Sequence, residues 1–164
     1  MEKIYISEIT RADLQYIHWV ENLEEYWHIN EHPGPYTLEE ITDCFFPSRL
    51  YPLHKQQRWI IRKTESNSPI GILDAFNFNE NDKSIGIGIL IPNRTDHKKG
   101  FGKESLQLLL KKLTFDKHIE IVFALIDSYN IPSIQLFEKS GFEFQREQMC
   151  LNRIVKRYEK LLKT

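Results

Sequence analysis

The run Ser84-Ile85-Gly86-Ile87-Gly88-Ile89-Leu90-Ile91, the basic turn His97-Lys98-Lys99-Gly100-Phe101-Gly102-Lys103, and Leu106, Leu109, Leu110 and Leu113 beyond it decide how the chain folds. The run reads as a strand ended by Pro92, its two glycines leaving one face with little side-chain bulk. The leucines fall at i, i+3, i+4 and i+7, which predicts an amphipathic helix opening directly from the turn. The first N–H groups of such a helix lack partners and carry the positive end of its dipole, so the turn is suited to a phosphate-bearing ligand. Two familiar glycine signatures do not fit. A Walker loop needs Gly at His97 and Ser or Thr at Glu104, and a dinucleotide fingerprint needs glycine or alanine at Ser105 and an acidic residue about 20 positions on, a mark that Glu120 and Asp127 meet only loosely.

Upstream, Ile4, Ile6 and Ile9 suggest a first strand, and Leu14, Ile17, Trp19, Val20 and Leu23 a short helix. The loop His32-Pro33-Gly34-Pro35 cannot continue a helix. Thr37 and Glu40 have capping-box spacing for a second helix from Leu38 to about Phe46, stopped by Pro47. Arg58–Arg62 and Ile70–Phe78 read as strands. Downstream, the apolar run Ile119–Ile126 predicts a central strand, Asn130-Ile131-Pro132-Ser133 opens a helix closed by Gly141, and residues 142–162 have room for two more strands.

A chain of 164 residues is expected to form a single domain, 1–164. Its formal net charge of −1 argues against a general nucleic-acid binder. No stretch approaches the ~18 apolar residues of a membrane span, and Met1-Glu2-Lys3 does not open a signal peptide, so no membrane association and a cytoplasmic location are expected. Cys44 and Cys150 lack any CxxC pattern, which predicts two reduced thiols and no thiolate metal site.

The order strand, H-K-K-G-F-G turn, helix, apolar strand, then Asn130-x-x-Ser133-x-x-Leu136-Phe137-Glu138-Lys139-x-Gly141-Phe142 resembles the GNAT superfamily of N-acetyltransferases. The family's Q/R-x-x-G-x-G/A turn matches His97–Gly102, with His97 in place of Gln or Arg, and its N-x-x-S-x-x-L-Y-E-K-x-G-F segment matches Asn130–Phe142. Ile4–Trp27 and Pro69–Ile91 look like the RimJ/RimL-like branch, which holds ribosomal-protein alanine and spermidine acetyltransferases. The resemblance implies an α/β (α+β) fold: a mixed, twisted sheet of six or seven strands with helices on both faces, whose central parallel strands splay to hold acetyl-CoA.

It also implies site residues. Backbone groups of Gly88, Ile89, Leu90 and Ile91 would pair with the pantetheine arm. His97, Lys98, Lys99, Gly100, Phe101, Gly102 and Lys103 would hold the pyrophosphate. Asn130, Ser133, Phe137 and Lys139 would line the rest of the cofactor site, although Ser133 equally suits a helix cap and Lys139 a solvated surface. Glu24, Tyr26 and Trp27 lie where relatives build an acceptor pocket, and equally suit a charged helix end with an aromatic core anchor. Asp74 matches an acidic position of the spermidine-type relatives and is the candidate base or amine anchor; a solvent-facing strand position is the plain alternative, because alternation alone does not fix its face.

One departure bears on catalysis. Relatives place at Phe137 the tyrosine taken to protonate the leaving thiolate, and phenylalanine has no proton to give. A thiol of pKa ~8.5 leaves as an anion at neutral pH for only roughly 2 kcal/mol, so water, Tyr129 or Tyr158 could serve. Deprotonating a lysine-like amine of pKa ~10.4 costs about 4.6 kcal/mol at pH 7, an α-amine only about 1. The reading is therefore acetyl transfer from acetyl-CoA to a small-molecule or peptide primary amine by direct attack, in a monomer or homodimer. The alternative is a catalytically idle acyl-CoA-binding or sensing domain. His28-x-x-Glu31-His32 spells an inverted zinc-protease pattern, but Pro33-Gly34-Pro35 follows at once, so no metal is expected.

Overall fold

A computed structural model describes residues 3–30, 32–46 and 56–162. The chain forms two compact units, Glu8–His54 and Met1–Ser7 with Lys55–Thr164.

In the smaller unit, a 3-10 turn at Arg11–Asp13 leads into α1 (Leu14–Glu21), and a second 3-10 turn spans Glu24–Ile29. α2 (Leu38–Phe45) begins with the expected capping box: Glu40 N–H donates to Thr37 Oγ1 at 3.1 Å and Thr37 N–H to Glu40 Oε2 at 2.7 Å. Pro47, the expected stop of this helix, and Glu31 of the histidine pattern lie outside the described residues. His28 sits in the Glu24–Ile29 turn, and that turn closes before His32. Asn22 clasps Tyr36 through both backbone groups, accepting from its N–H at 2.8 Å and donating to its carbonyl at 3.0 Å.

The larger unit is built on one seven-stranded sheet in the order β1-β2-β3-β4-β5-β7-β6. The strands are β1 (Ile4–Glu8), β2 (Gln56–Lys63), β3 (Pro69–Asn79), β4 (Ser84–Leu90), β5 (Ile121–Asp127), β6 (Glu143–Cys150) and β7 (Arg153–Leu161), with α3 (Phe101–Leu113) between β4 and β5 and α4 (Ile131–Lys139) between β5 and β6. The β4/β5 pair is parallel; β2/β3, β3/β4, β5/β7 and β6/β7 are antiparallel. The core gathers Trp59, Leu73, Ala75, Ile87, Val122, Ala124 and Tyr158 from the sheet with Leu106, Leu109, Ile134 and Phe137 from the helices. Burying side chains of this size at ~25 cal/mol per Å² is the main driving force for the unit.

The pleat divides the sheet. Residues directly opposite each other share a face, so Arg58, Asp74 and Gly88 lie together, as do Phe76, Gly86 and Phe123, on the face opposite Leu73, Ile87 and Val122. The expected start of the central strand moves from Ile119 to Ile121. Ile119 N–H is held by the Asp116 carbonyl in a turn, and the ladder begins once Glu120 and Ile121 reach the Lys83 carbonyl. No helix among the described residues is long and apolar enough to cross a membrane.

Candidate active site

The parallel strands part early. β4 and β5 are registered only at Ser84–Ile121, Ile85–Val122 and Gly86–Phe123. Beyond that point β4 stays on β3 as far as Leu90 opposite Ile72, and β5 stays on β7 as far as Asp127 opposite Val155. The inner edges of both strands are thus released from each other within the sheet, and backbone groups there need another partner. Gly88, Ile89 and Leu90 lie on this stretch, half-buried. Ile91 lies just past the strand, and its carbonyl accepts from His97 Nε2 at 2.6 Å; because a carbonyl can only accept, the proton is on Nε2.

The basic turn has the geometry of an anion cradle. A 3-10 turn at Arg94–Asp96 leads into Lys98 at φ 58° and Gly100 at φ 88°, after which α3 begins at Phe101. No side chain caps α3, so its first N–H groups are left without a side-chain acceptor. Nothing stands within 4 Å of where a Gly100 Cβ would be, and Lys98, Lys99 and Lys103 are exposed around that opening. Gly102 lies close against α4: a Cβ there would meet Leu136 Cδ2 at 3.2 Å, so the leucine would have to give by a few tenths of an ångström. Glu104, an acidic residue in the first turn, points its charge elsewhere, accepting from Lys3 N–H at 2.8 Å and tying β1 to α3.

On the turn after β5, Asn130 Oδ1 accepts from Ser133 N–H at 3.2 Å, capping α4. Phe137 is 2% exposed and edge-on to Phe142, with ring centroids 5.0 Å apart. Lys139 is exposed in the last turn of α4, where a cation suits the helix dipole. Of the tyrosines that could stand in for the absent one, Tyr129 is 95% exposed. Tyr158 is buried and donates to Glu138 Oε1 at 3.1 Å; burial, then that hydrogen bond and the Glu138 charge, push its pKa above 10.0.

Asp74 is paired. Arg58 Nε donates to its Oδ1 at 2.6 Å and Arg58 Nη2 to its Oδ2 at 2.9 Å, a two-pronged contact directly across the β2/β3 ladder. Beside it, Phe76 covers Gly86 and meets Phe123 edge-on at 6.0 Å, and the Arg157 guanidinium stands 3.9 Å from the centre of the Phe123 ring while bonded to Glu159 at 2.6 Å. Arg58 and the Phe76–Phe123–Arg157 stack were not expected from sequence. The signal was absent there, because strand register brings together residues that local patterning leaves apart. In the smaller unit, Glu24 is exposed, Tyr26 is half-buried, and Trp27 donates through Nε1 to the Glu21 carbonyl at 2.9 Å with its ring against Gly34.

Comparison with solved structures gives the same fold. Spermidine N-acetyltransferase from Vibrio cholerae, in complex with CoA and spermine, superposes with a TM-score of 0.82 at 18% identity over 98% of this chain and 96% of that one. AAC(6')-Ib, in complex with ribostamycin and coenzyme A, gives 0.81 at 19% identity over 98% and 94%. A domain from Methanocaldococcus jannaschii gives 0.77 at 28% identity over 98% and 99%. No curated protein sequence matches the chain. The family described as acetyltransferase (GNAT) domain matches residues 3–143, and with the splayed parallel strands and the uncapped basic turn in place, the chain belongs to that family.

Proposed function

We propose that the protein is an acetyl-CoA-dependent N-acetyltransferase acting on a primary amine, with residues 1–164 working as one acetyltransferase domain in the cytoplasm, as a monomer or homodimer. The observation that carries this reading is the early end of the β4/β5 pairing beside the helix-opening turn: an extended arm fits along the released edge of β4 while its diphosphate meets the N–H groups of α3. Gly88, Ile89, Leu90 and Ile91 hold the arm through backbone groups. His97, Lys98, Lys99, Gly100, Phe101, Gly102 and Lys103 form the diphosphate cradle, and Asn130, Ser133, Phe137 and Lys139 belong to the rest of the cofactor site. Acetyl-CoA supplies an activated thioester.

The amine is received on the Asp74 face. Both Asp74 oxygens are engaged by Arg58, but each keeps a second lone pair and can accept from an ammonium group. Glu24, Tyr26 and Trp27 of the smaller unit are, by the family resemblance, a separate set of candidate acceptor residues, and polyamines, protein N-termini, amino acids and other small amines are the candidate acceptors. The spermidine and aminoglycoside enzymes with the same fold act in the direction of this choice. The second reading, an idle acyl-CoA-binding domain, is favoured by one observation: position 137 carries no hydroxyl, and the Tyr158 hydroxyl is committed to Glu138.

One experiment separates the two. Acetyl-CoA at about 100 times its Kd raises the melting temperature by roughly 5–10 °C under either reading. Release of CoA thiol across an amine panel supports the transferase, whereas binding without release from any amine supports the idle domain. No shift in melting temperature refutes both.

A further inference from the structure

Resting on the reading of residues 97–103 as the diphosphate cradle, we infer that the Lys63–Asp96 ion pair sets the charge and shape of that turn, making Lys63 a positioning residue for the diphosphate of the acyl donor. Asp96 is 6% exposed and immediately precedes His97. Its Oδ1 lies 2.7 Å from Lys63 Nζ, and the same Nζ stands 5.8 Å from the centre of the Phe101 ring, within cation–π range. Lys63 therefore touches the turn where it begins and where α3 starts. Its own backbone is fixed by the β2–β3 turn, with Lys63 N–H donating to the Ser68 carbonyl at 3.0 Å and Asn67 N–H to the Lys63 carbonyl at 2.9 Å.

The electrostatics give this arrangement a purpose. A buried carboxylate next to a site for a doubly charged anion opposes the anion unless a cation neutralises it. Lys98, Lys99 and Lys103 are exposed and screened by solvent, while the Lys63 charge is held at 2.7 Å against the buried Asp96 carboxylate. Removing Lys63 leaves a bare negative charge in that place. Removing both charges leaves none.

The test compares dissociation constants for CoA and for S-acetylpantetheine, which lacks the diphosphate, in the wild type, Lys63→Arg, Lys63→Met and Lys63→Met/Asp96→Asn, with circular dichroism confirming that each is folded. Loss of one neighbouring unit charge changes the affinity for a doubly charged anion by about tenfold at low salt. Lys63→Met is expected to weaken CoA by that factor and S-acetylpantetheine by less than about twofold, with the difference shrinking in 0.5 M salt (~4 Å Debye length). Lys63→Arg retains CoA affinity, and the double variant returns to within about threefold of the wild type. Equal weakening of both ligands, or no recovery in the double variant, overturns the inference and leaves the pair as scaffolding. If the wild type binds CoA no more tightly than S-acetylpantetheine, the cradle reading itself fails.

Discussion

Three glycines of the sheet offer the same one-methyl perturbation with three different neighbours. At Gly71 an added Cβ would stand 2.5 Å from the carbonyl oxygen of Leu90, a backbone atom of β4, and 3.0 Å from both Ile61 Cδ1 and Ile91 Cγ1. At Gly86 the neighbour at 2.4 Å is the Phe76 ring, which can swing, and at Gly88 the nearest atom is Phe76 Cε1 at 3.9 Å, an ordinary contact. Alanine is worth about 0.5–1 kcal/mol over glycine inside a strand, and overpacking costs about 1–3. Gly88→Ala should therefore hold or gain stability by up to about 1 kcal/mol. Gly71→Ala should lose about 1–2, because the end of β4 must retreat by about 0.9 Å to reach van der Waals distance. Gly86→Ala falls between them, losing the Phe76–Phe123 edge contact of roughly 0.5–1.5 kcal/mol. For a chain of this size, thermal melts should show Gly71→Ala lower by about 2–8 °C and Gly88→Ala unchanged or higher by up to about 4 °C. Because Leu90 lies on the released edge, Gly71→Ala should also weaken CoA binding in calorimetry. A Gly71→Ala protein as stable as Gly88→Ala, with unchanged CoA affinity, would refute the reasoning.

Phe137→Tyr places a hydroxyl in a buried ring position, costing about 1–3 kcal/mol in urea denaturation; if that hydroxyl reaches the leaving thiolate, turnover at pH 7 rises by up to about thirtyfold and the pH–rate profile flattens between pH 7 and 8.5, whereas an unchanged profile makes the position purely a core site. Asp74→Asn keeps the volume but removes the charge that Arg58 grips, so the amine KM should rise about ten- to a hundredfold while CoA affinity stays constant, and an unchanged amine KM would remove Asp74 from the acceptor site. Because the folded-state pKa of Tyr158 is raised above 10.0, its contribution to stability is complete below pH 10 and is lost as pH climbs beyond. Urea midpoints at pH 9 and 11 should accordingly fall more for the wild type than for Tyr158→Phe, and parallel falls would show that the phenol's surroundings do not favour its neutral form.

The helix after the basic turn, the cap at Thr37 and the strands around Trp59 and Leu73 were legible because local periodicity and capping chemistry decide them. The turn at 97–103 was legible for the same reason, since glycine and helix dipole act over a few residues. Register was not legible. Arg58 meets Asp74, and Phe123 meets Arg157, through ladders joining segments far apart in sequence, and which face Asp74 occupies became clear only from its pairing with Gly88. Lys63 and Asp96 are likewise separated by two strands and a turn. The approach to β5 misled in the other direction: Ile119 is as apolar as the strand it precedes, but its N–H is taken by a turn.

The parting of β4 and β5 has one more consequence. An opening inside a sheet is still an edge, and the edge of a strand can recruit a strand from another molecule as readily as a ligand. A linear guest lying along β4 closes that template. On that reasoning the empty protein is expected to aggregate more readily than the protein with acetyl-CoA present, which light scattering with and without the cofactor would check.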